Sequence, residues 1–159
     1  MKIEVKPDFS QVDDLLKDLQ KEFKNGKNGA RAGYLSSDTR KDGVKESKIA
    51  LANEFGVPEH NVPSRPFLRN ARKKLDKRLK AVVEAGLEDQ IDMETLLSRC
   101  GVAMRNEIVE SIDSNTPPEN KEATIRRKGS SHTLIDTEQM RGAVHSAIVT
   151  NGKEKLLPK

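Results

Sequence analysis

The side chains that could perform acid–base, nucleophilic or metal chemistry are three histidines and a single cysteine. His60, His132 and His145 lie far apart, and none has a second ligand four residues away, as a helical metal site would require. Cys100 stands alone, which excludes an internal disulfide and a cysteine metal site. His132 follows two serines in a predicted loop, which could not hold a nucleophile and its base in a fixed geometry. We therefore expect no catalysis, no metal and no cofactor.

A more prominent feature is the basic stretch HNVPSRPFLRNARKKLDKRLK, which covers residues 60–80. It contains eight Lys or Arg side chains and one acid, Asp76. Four of the basic residues recur at spacings of three and four and would share one face of a helix: Arg65, Arg69, Arg72 and Lys73. Such a face could bind phosphates, bind acidic groups of a protein partner, or be solvated.

The composition of the 159-residue chain limits the fold and the partners. Apolar and charged residues each make up 34%, so the core is thin relative to the surface. Aromatic residues are only 3%, fewer than proteins that stack on bases or enclose a drug-sized ligand usually carry. No apolar run approaches the roughly 18 residues of a membrane span, and no signal-peptide core is present near the start. We therefore expect a protein without membrane contact, made and kept in a reducing cytoplasm unless it leaves by cell lysis.

Alternation and helical spacing predict the elements of the N-terminal half. Residues 1–6 alternate as a short strand, and Ser10 starts an amphipathic helix that runs to Phe23. Residues 30–37 are typical of a second strand. A short helix then ends at Gly56, and a proline-rich connector leads to Pro66, which suits the first position of a long helix.

In the C-terminal half, Asp92 would cap a second long helix, and residues 113–132 form a polar loop of a length that is usually functional or disordered. Asp136 would cap a further helix, and residues 142–150 alternate as a closing strand. These patterns predict one α+β domain over residues 1–150. It would contain a small antiparallel or mixed β-sheet packed with three to four α-helices, including a long central helical pair. Residues 151–159 are expected to be a disordered tail.

Two segments of the chain resemble tailed-bacteriophage virion-morphogenesis proteins. In the first motif (residues 53–69), an Asn-Glu-Phe-Gly element leads through a proline turn into Pro-x-Arg-Pro-Phe-Leu-Arg. In the second motif (residues 117–140), a proline-rich loop leads to Thr-Ile-x-x-Lys-Gly and then to Leu-Ile-Asp-Thr. The matching positions are Asn53, Glu54, Phe55, Gly56, Pro63, Arg65, Pro66, Phe67, Leu68 and Arg69, followed by Pro117, Pro118, Thr124, Ile125, Lys128, Gly129, Leu134, Ile135, Asp136, Thr137 and Met140.

The chain departs from the family pattern at one position. The family usually has Gly after Asp-Thr, where this chain has Glu138. Glutamate suits the first turn of a helix electrostatically, so we expect the local fold to persist. A contact that needs a bare glycine would be lost.

The resemblance covers roughly residues 45–149 and implies a structural protein without catalysis at the neck of a tailed phage. Such proteins complete the tail or join it to the head as oligomeric rings, located in the virion and, during assembly, in the host cytoplasm. The implied partners are further copies of the chain, other head-neck or tail proteins, and DNA that passes through a lumen without sequence reading. The motifs do not separate tail completion from a head-side adaptor or a tail terminator.

The basic residues fit a subunit joint in this setting. A ring needs interfaces that close by rotation, and the proline turn and the loop at 115–133 are expected to supply exposed, stiff surfaces. The interface or DNA-channel candidates are Arg65, Pro66, Phe67, Arg69, Arg72, Lys73, Arg126, Arg127 and Lys128. Phe67 could instead be core, and the 126–128 cluster could be a solvated loop. The alternative function is a small nucleic-acid-binding accessory protein, and an enzyme would need a cleft with convergent titratable groups.

Overall fold

The computed structural model describes residues 27–136 and 138–159. The strand predicted at residues 1–6, the helix predicted at residues 10–23 and Thr137 of the second motif lie outside the described residues. Within them, helices and a three-stranded antiparallel sheet confirm the α+β fold class. The long central helical pair is also present.

The sheet joins two distant parts of the chain. Strand β1 (Gly29–Gly33) pairs with β2 (His145–Thr150), which also pairs with β3 (Lys153–Leu156), so that the spatial order is β1-β2-β3. Gly29 lies opposite Val149, and Ala147 lies opposite Leu156. The four inner residues of β2 are buried, as expected for the central strand of a sheet that is covered by helices.

Between β1 and β2 the chain forms the helices of its described part. They are α1 (Glu46–Phe55), α2 (Phe67–Glu88), α3 (Met93–Asp113), α4 (Glu122–Lys128) and α5 (Gln139–Gly142), with a turn of 3-10 helix at Pro58–His60. Helix α3 packs on one side against α2 and on the other against β1 and β2.

Helices α2 and α3 form an antiparallel hairpin about 33 Å long, since each residue of an α-helix rises about 1.5 Å. The predicted cap of α3 is confirmed, because the Asp92 carboxylate accepts a hydrogen bond from the Thr95 amide at 2.9 Å. Along the hairpin, Arg78 of α2 pairs with Glu107 at 3.2 Å and with Glu110 at 2.9 Å. Near the turn, Gly86 lies so close to Leu96 that the hairpin closes tightly.

The core lies where the start of α2, the end of α3 and the segment before β2 meet. Its buried members are Ala50, Phe67, Ala71, Ile108, Ile112, Leu134, Met140 and Val144. Two polar contacts tie the same region together. The Ser111 hydroxyl donates to the Phe67 carbonyl at 2.7 Å, and Arg105 donates to the Val144 carbonyl at 3.0 Å.

The structure corrects four expectations from the sequence. Pro66 is the residue before α2 and not its first residue. The polar loop at 113–132 contains α4. Asp136 caps no helix, because α5 begins at Gln139 after Glu138, which has a left-handed backbone. The expected disordered tail at 151–159 instead contributes β3, since its backbone completes the other side of β2.

Candidate functional site

The first motif folds around the carboxylate of Glu54, which lies on the last turn of α1. This carboxylate accepts hydrogen bonds from the Leu68 amide at 2.8 Å and from the Arg69 amide at 3.3 Å. These two amides belong to the first turn of α2, where backbone donors lack partners within the helix. Glu54 is only 2% exposed and places its negative charge at the positive end of the helix dipole.

The turn between α1 and α2 is held by its own backbone and by short polar side chains. Gly56 has φ +77°, and a β-carbon there would lie 2.7 Å from the Ser64 amide nitrogen. The Ser64 hydroxyl donates to the Glu54 carbonyl at 2.8 Å, and the Arg65 amide donates to the Asn53 carbonyl at 2.6 Å. The motif therefore needs glycine where the returning chain passes closest to α1.

Arg69 binds Glu54 from the solvent-exposed side of the first motif. Its Nε donates to the Glu54 carboxylate at 2.8 Å, and its Nη2 donates to the Glu54 carbonyl at 3.0 Å. The guanidinium also lies 5.5 Å from the centre of the Phe55 ring, a favourable cation–π distance. Arg69 was predicted to bind a partner carboxylate, but its hydrogen bonds are made within the chain.

Arg65 connects the first motif to the second. It is 6% exposed, and its guanidinium donates to the Pro118 carbonyl at 2.9 Å and to the Asn120 side-chain oxygen at 3.0 Å. Burial lowers the pKa of this guanidinium. Asn120 then donates to the His132 carbonyl at 2.9 Å, which fixes the far end of the second motif. Arg65 was expected on an exposed surface, but it is buried, and two of its donors bind within the chain.

The second motif is a short helix between two hydrogen-bonded ends. Gly129 ends α4 in the left-handed conformation, with φ +69°. The Lys128 ammonium donates to the His132 carbonyl at 2.7 Å. The pKa of Lys128 is lowered, and burial is the main cause. Leu134 is buried in the core, whereas Asp136 is exposed. Thr124 and Pro63 both line the cavity between the two motifs.

The interface candidates thus divide into internal and exposed residues. Phe67 is 0% exposed and belongs to the core, which is the alternative that the sequence left open for it. Pro66 is half-buried. The candidates whose surfaces face solvent are Arg69, Arg72, Lys73, Arg126 and Arg127.

A polar cavity of about 500 Å³ lies between the two motifs. Its lining includes the basic side chains of Arg65, Arg127 and Lys128 and the acidic side chains of Glu119, Asp136 and Glu138. Thr133 also lines it, and the hydroxyl of Thr133 is buried without a hydrogen-bond partner. The cavity can therefore accept a small polar or charged group.

Sequence reasoning missed one residue of this site, Asn120, and the role of another, Glu54. Asn120 lies in a polar stretch without periodicity, and only its contacts with Arg65 and His132 reveal its role. Glu54 was identified as a motif residue, but not as a cap. The available signal was that α2 has no Ser, Thr, Asp or Asn before its first residue, so its cap had to come from elsewhere.

The three histidines lie in separate places and do not form a common site. His145 lies 2.8 Å from Asp38, His132 lies 3.1 Å from the Asp113 carbonyl, and His60 is exposed. In residues 27–136 and 138–159, no group of three or more His, Cys, Asp or Glu side chains could hold a metal ion. No described helix is long and apolar enough to cross a membrane.

The fold and the site define an α+β protein in which two motifs are joined by buried polar contacts. Comparison with protein-family models found no model that matches the chain, and searches of curated proteins and of solved structures likewise found no match.

Proposed function

We propose that this chain is a structural subunit of a tailed-phage virion. It acts without catalysis in a homo-oligomeric ring at the neck, where it completes the tail or joins it to the head. Its partners are further copies of itself and other head-neck or tail proteins. It resides in the virion after assembly in the host cytoplasm.

The observation that carries this proposal is the contact between the two motifs that resemble the phage family. They are separated by about fifty residues of chain, yet Arg65 of the first motif donates to Pro118 and Asn120 in the second. Two motifs that form one hydrogen-bonded unit support a resemblance in architecture as well as in sequence. Their buried residues cap helices and fix turns, which is consistent with a structural role.

The outer face of the helical hairpin also supports a protein that assembles with others. An open groove of about 1250 Å³ runs between α2 and α3. Its lining includes the apolar side chains of Ala81, Val82, Ala85 and Val102, beside charged residues such as Lys77 and Glu110. Exposed apolar surface of this kind is typical of a face that is covered in an assembly.

The test is to inactivate the gene in a phage or prophage that carries it and to image the lysate by electron microscopy. We expect DNA-filled heads beside separate tails, and restoration of virions when the intact gene is supplied from a plasmid. Tails of wrong length or with ragged ends would place the ring at the tail terminus. Intact, infectious virions without the gene would overturn the proposal.

The alternative function is non-specific nucleic-acid binding by α2. Arg72, Lys73, Lys74 and Lys77 are exposed, and none of them forms an ion pair with another described residue. Such side chains are free to neutralise phosphates, and binding would then weaken steeply with salt.

Duplex binding by the isolated protein distinguishes the alternative. The triple variant Arg72→Glu, Lys73→Glu and Lys74→Glu should abolish salt-sensitive binding if α2 is the contact. The matched control reverses the exposed Lys41, Lys45 and Lys48, which changes the net charge equally at another surface. Equal losses in both variants would indicate a net-charge effect and would remove α2 as a specific contact.

A further inference from the structure

Charge is distributed unequally along the helical hairpin. Residues 81–98 contain no Lys or Arg, although residues 65–80 contain eight. The turn between α2 and α3, which we call the acidic turn (residues 84–94), instead carries five exposed acids: Glu84, Glu88, Asp89, Asp92 and Glu94. Asp89 pairs with Arg99 at 3.0 Å at the surface, whereas Glu88 forms no ion pair with a described residue. Exposed pairs of this kind contribute little, so these carboxylates can change partners.

The lining of the cavity between the two motifs carries more basic than acidic side chains. The Arg65 guanidinium is bonded only to neutral oxygens, and no carboxylate in the described part of the chain pairs with it. Burial lowers the pKa of Lys128, and the charges of Arg65 and Arg127 lower it further, against an opposing effect of Asp136. Lys121 and Arg127 are exposed at the cavity rim. A buried cation without a counter-charge is costly, so an incoming carboxylate would be stabilised there.

We propose that the acidic turn of one copy of this chain docks on the cavity of a second copy, with Glu88 and Asp89 facing Lys121 and Arg127. This contact rests on the proposed ring and specifies its subunit interface. The unpaired hydroxyl of Thr133 gives the cavity wall a donor that an incoming carboxylate or carbonyl can use.

The positions of the two surfaces determine the kind of assembly. The cavity lies beside the start of α2, and the acidic turn lies at its other end, about 33 Å away. One chain cannot bring its own two surfaces together, because the hairpin between them is rigid. The contact is therefore head-to-tail, and repeated head-to-tail contacts close into a ring when the rotation between subunits allows it.

The cavity favours a protein carboxylate over a nucleic-acid backbone. Glu119, Asp136 and Glu138 in its lining would repel a run of phosphates more strongly than one or two carboxylates. The acidic turn presents its charges on a compact helical corner, whereas a nucleic acid would present them along an extended strand. A second copy is therefore the occupant that fits both surfaces.

The experiment measures the mass of the full chain in solution at low salt, by light scattering after size exclusion. The first variant is Glu88→Lys with Asp89→Lys, and the second is Lys121→Glu with Arg127→Glu. All four side chains are exposed, so both variants should fold as the parent does. The control is Lys27→Glu with Lys153→Glu, which repeats the charge change of the second variant at exposed residues that neither line the cavity nor belong to the acidic turn.

We expect the parent and the control to associate, and each variant alone to associate at least about tenfold more weakly, because like charges then face each other. Mixing the two variants should restore association, since the reversed turn of one meets the reversed cavity of the other. Restoration only on mixing is the result that a general charge effect cannot produce.

Unchanged association of both variants would overturn the head-to-tail contact, and so would a parent that stays monomeric at low salt. Binding of inorganic phosphate or of duplex DNA that is lost in the second variant, without any change in association, would also overturn it. None of these results bears on the virion phenotype, so the proposed function is judged separately by electron microscopy of the lysate.

Discussion

Glu54 supplies, from the end of α1, the cap that α2 lacks at its own N-terminus. Its carboxylate is buried and accepts from the Leu68 and Arg69 amides, whose only other partner would be water. Removal of the carboxylate would leave two part-buried amide donors without their acceptor, which costs more than the hydrogen bonds themselves contribute. The ion pair with Arg69 adds less, because the Arg69 side chain is 57% exposed and its charge is screened by solvent.

We therefore expect Glu54→Ala to lower the free energy of unfolding by about 3 kcal/mol, as measured by urea denaturation. Glu54→Gln, which keeps an acceptor oxygen, should lose less. The matched control is Glu84→Ala, which removes an exposed carboxylate from α2 itself. Equal losses for Glu54→Ala and Glu84→Ala would show that the buried cap is not an important contribution.

Glu138 stands where the motif that this chain resembles usually has glycine. Its backbone has φ +57°, a conformation that costs a residue with a β-carbon roughly 1–2 kcal/mol and that glycine adopts freely. Glycine is thus the residue that this backbone conformation favours. Glutamate preserves the local fold only at the expense of strain.

Glu138→Gly should therefore increase the free energy of unfolding by about 1 kcal/mol, which would be seen as a higher thermal midpoint. This figure already includes the cost of glycine, which gives the unfolded chain more conformational freedom. The control Glu138→Ala removes the same side chain but keeps the β-carbon, and it should bring no such gain. A thermal midpoint that rises equally in both variants would assign the effect to the charge and not to the backbone.

At the scale of elements, the turn between α1 and α2 depends on one close backbone approach. A β-carbon on Gly56 would lie 2.7 Å from the Ser64 nitrogen and 3.0 Å from the Val62 oxygen. These are backbone atoms of a turn that is held by several hydrogen bonds, so they cannot move aside cheaply. The positive φ of Gly56 adds a second penalty.

Gly56→Ala should destabilise the protein by about 3 kcal/mol or more, and Gly43→Ala by only about 1 kcal/mol. Gly43 is the matched control because it also has a positive φ, of +83°, but open space where a β-carbon would lie. Urea denaturation of both variants isolates the steric part of the penalty. If the two losses were equal, the close approach would have no energetic weight.

Helical spacing and local caps made the long elements predictable. The apolar rows of α2 and α3 and the Asp92 cap are encoded within a few residues, so sequence alone located the hairpin. Helix α4 was missed because its seven residues are mostly polar and bury no side chain fully. Strand β3 was missed because Lys-Glu-Lys-Leu has no apolar alternation and becomes a strand only by pairing with β2.

The sequence identified most residues of the candidate site, but it did not predict which atoms they contact. The resemblance identified Arg65, Glu54 and the second motif, yet the role of each is set by atoms on other elements. Arg65 was expected to face a partner because prolines surround it, and Pro118 and Asn120 bind it instead. Contacts across more than fifty residues of chain leave no periodic signal in one sequence.

At the scale of the whole molecule, strand β3 keeps the buried strand β2 from becoming an edge strand of the sheet. Strand β3 covers one edge of β2, and the Leu157 amide beyond it donates to the Ser146 carbonyl at 2.8 Å. The Leu157 side chain also lies against Gly101 of α3. Without these residues β2 would become an edge strand that carries Ala147, Ile148 and Val149, and an exposed apolar edge is prone to pair with other chains.

Deletion of residues 152–159 should therefore lower the free energy of unfolding by about 3 kcal/mol and cause aggregation that grows with protein concentration. Urea denaturation and light scattering measure the two effects. The control deletes only Pro158 and Lys159, which removes a single exposed hydrogen bond, from Lys159 to the Gly142 carbonyl, and leaves β3 intact. A frayed tail would make both deletions harmless, so a stable and monodisperse protein without residues 152–159 would contradict the role of β3 in completing the sheet.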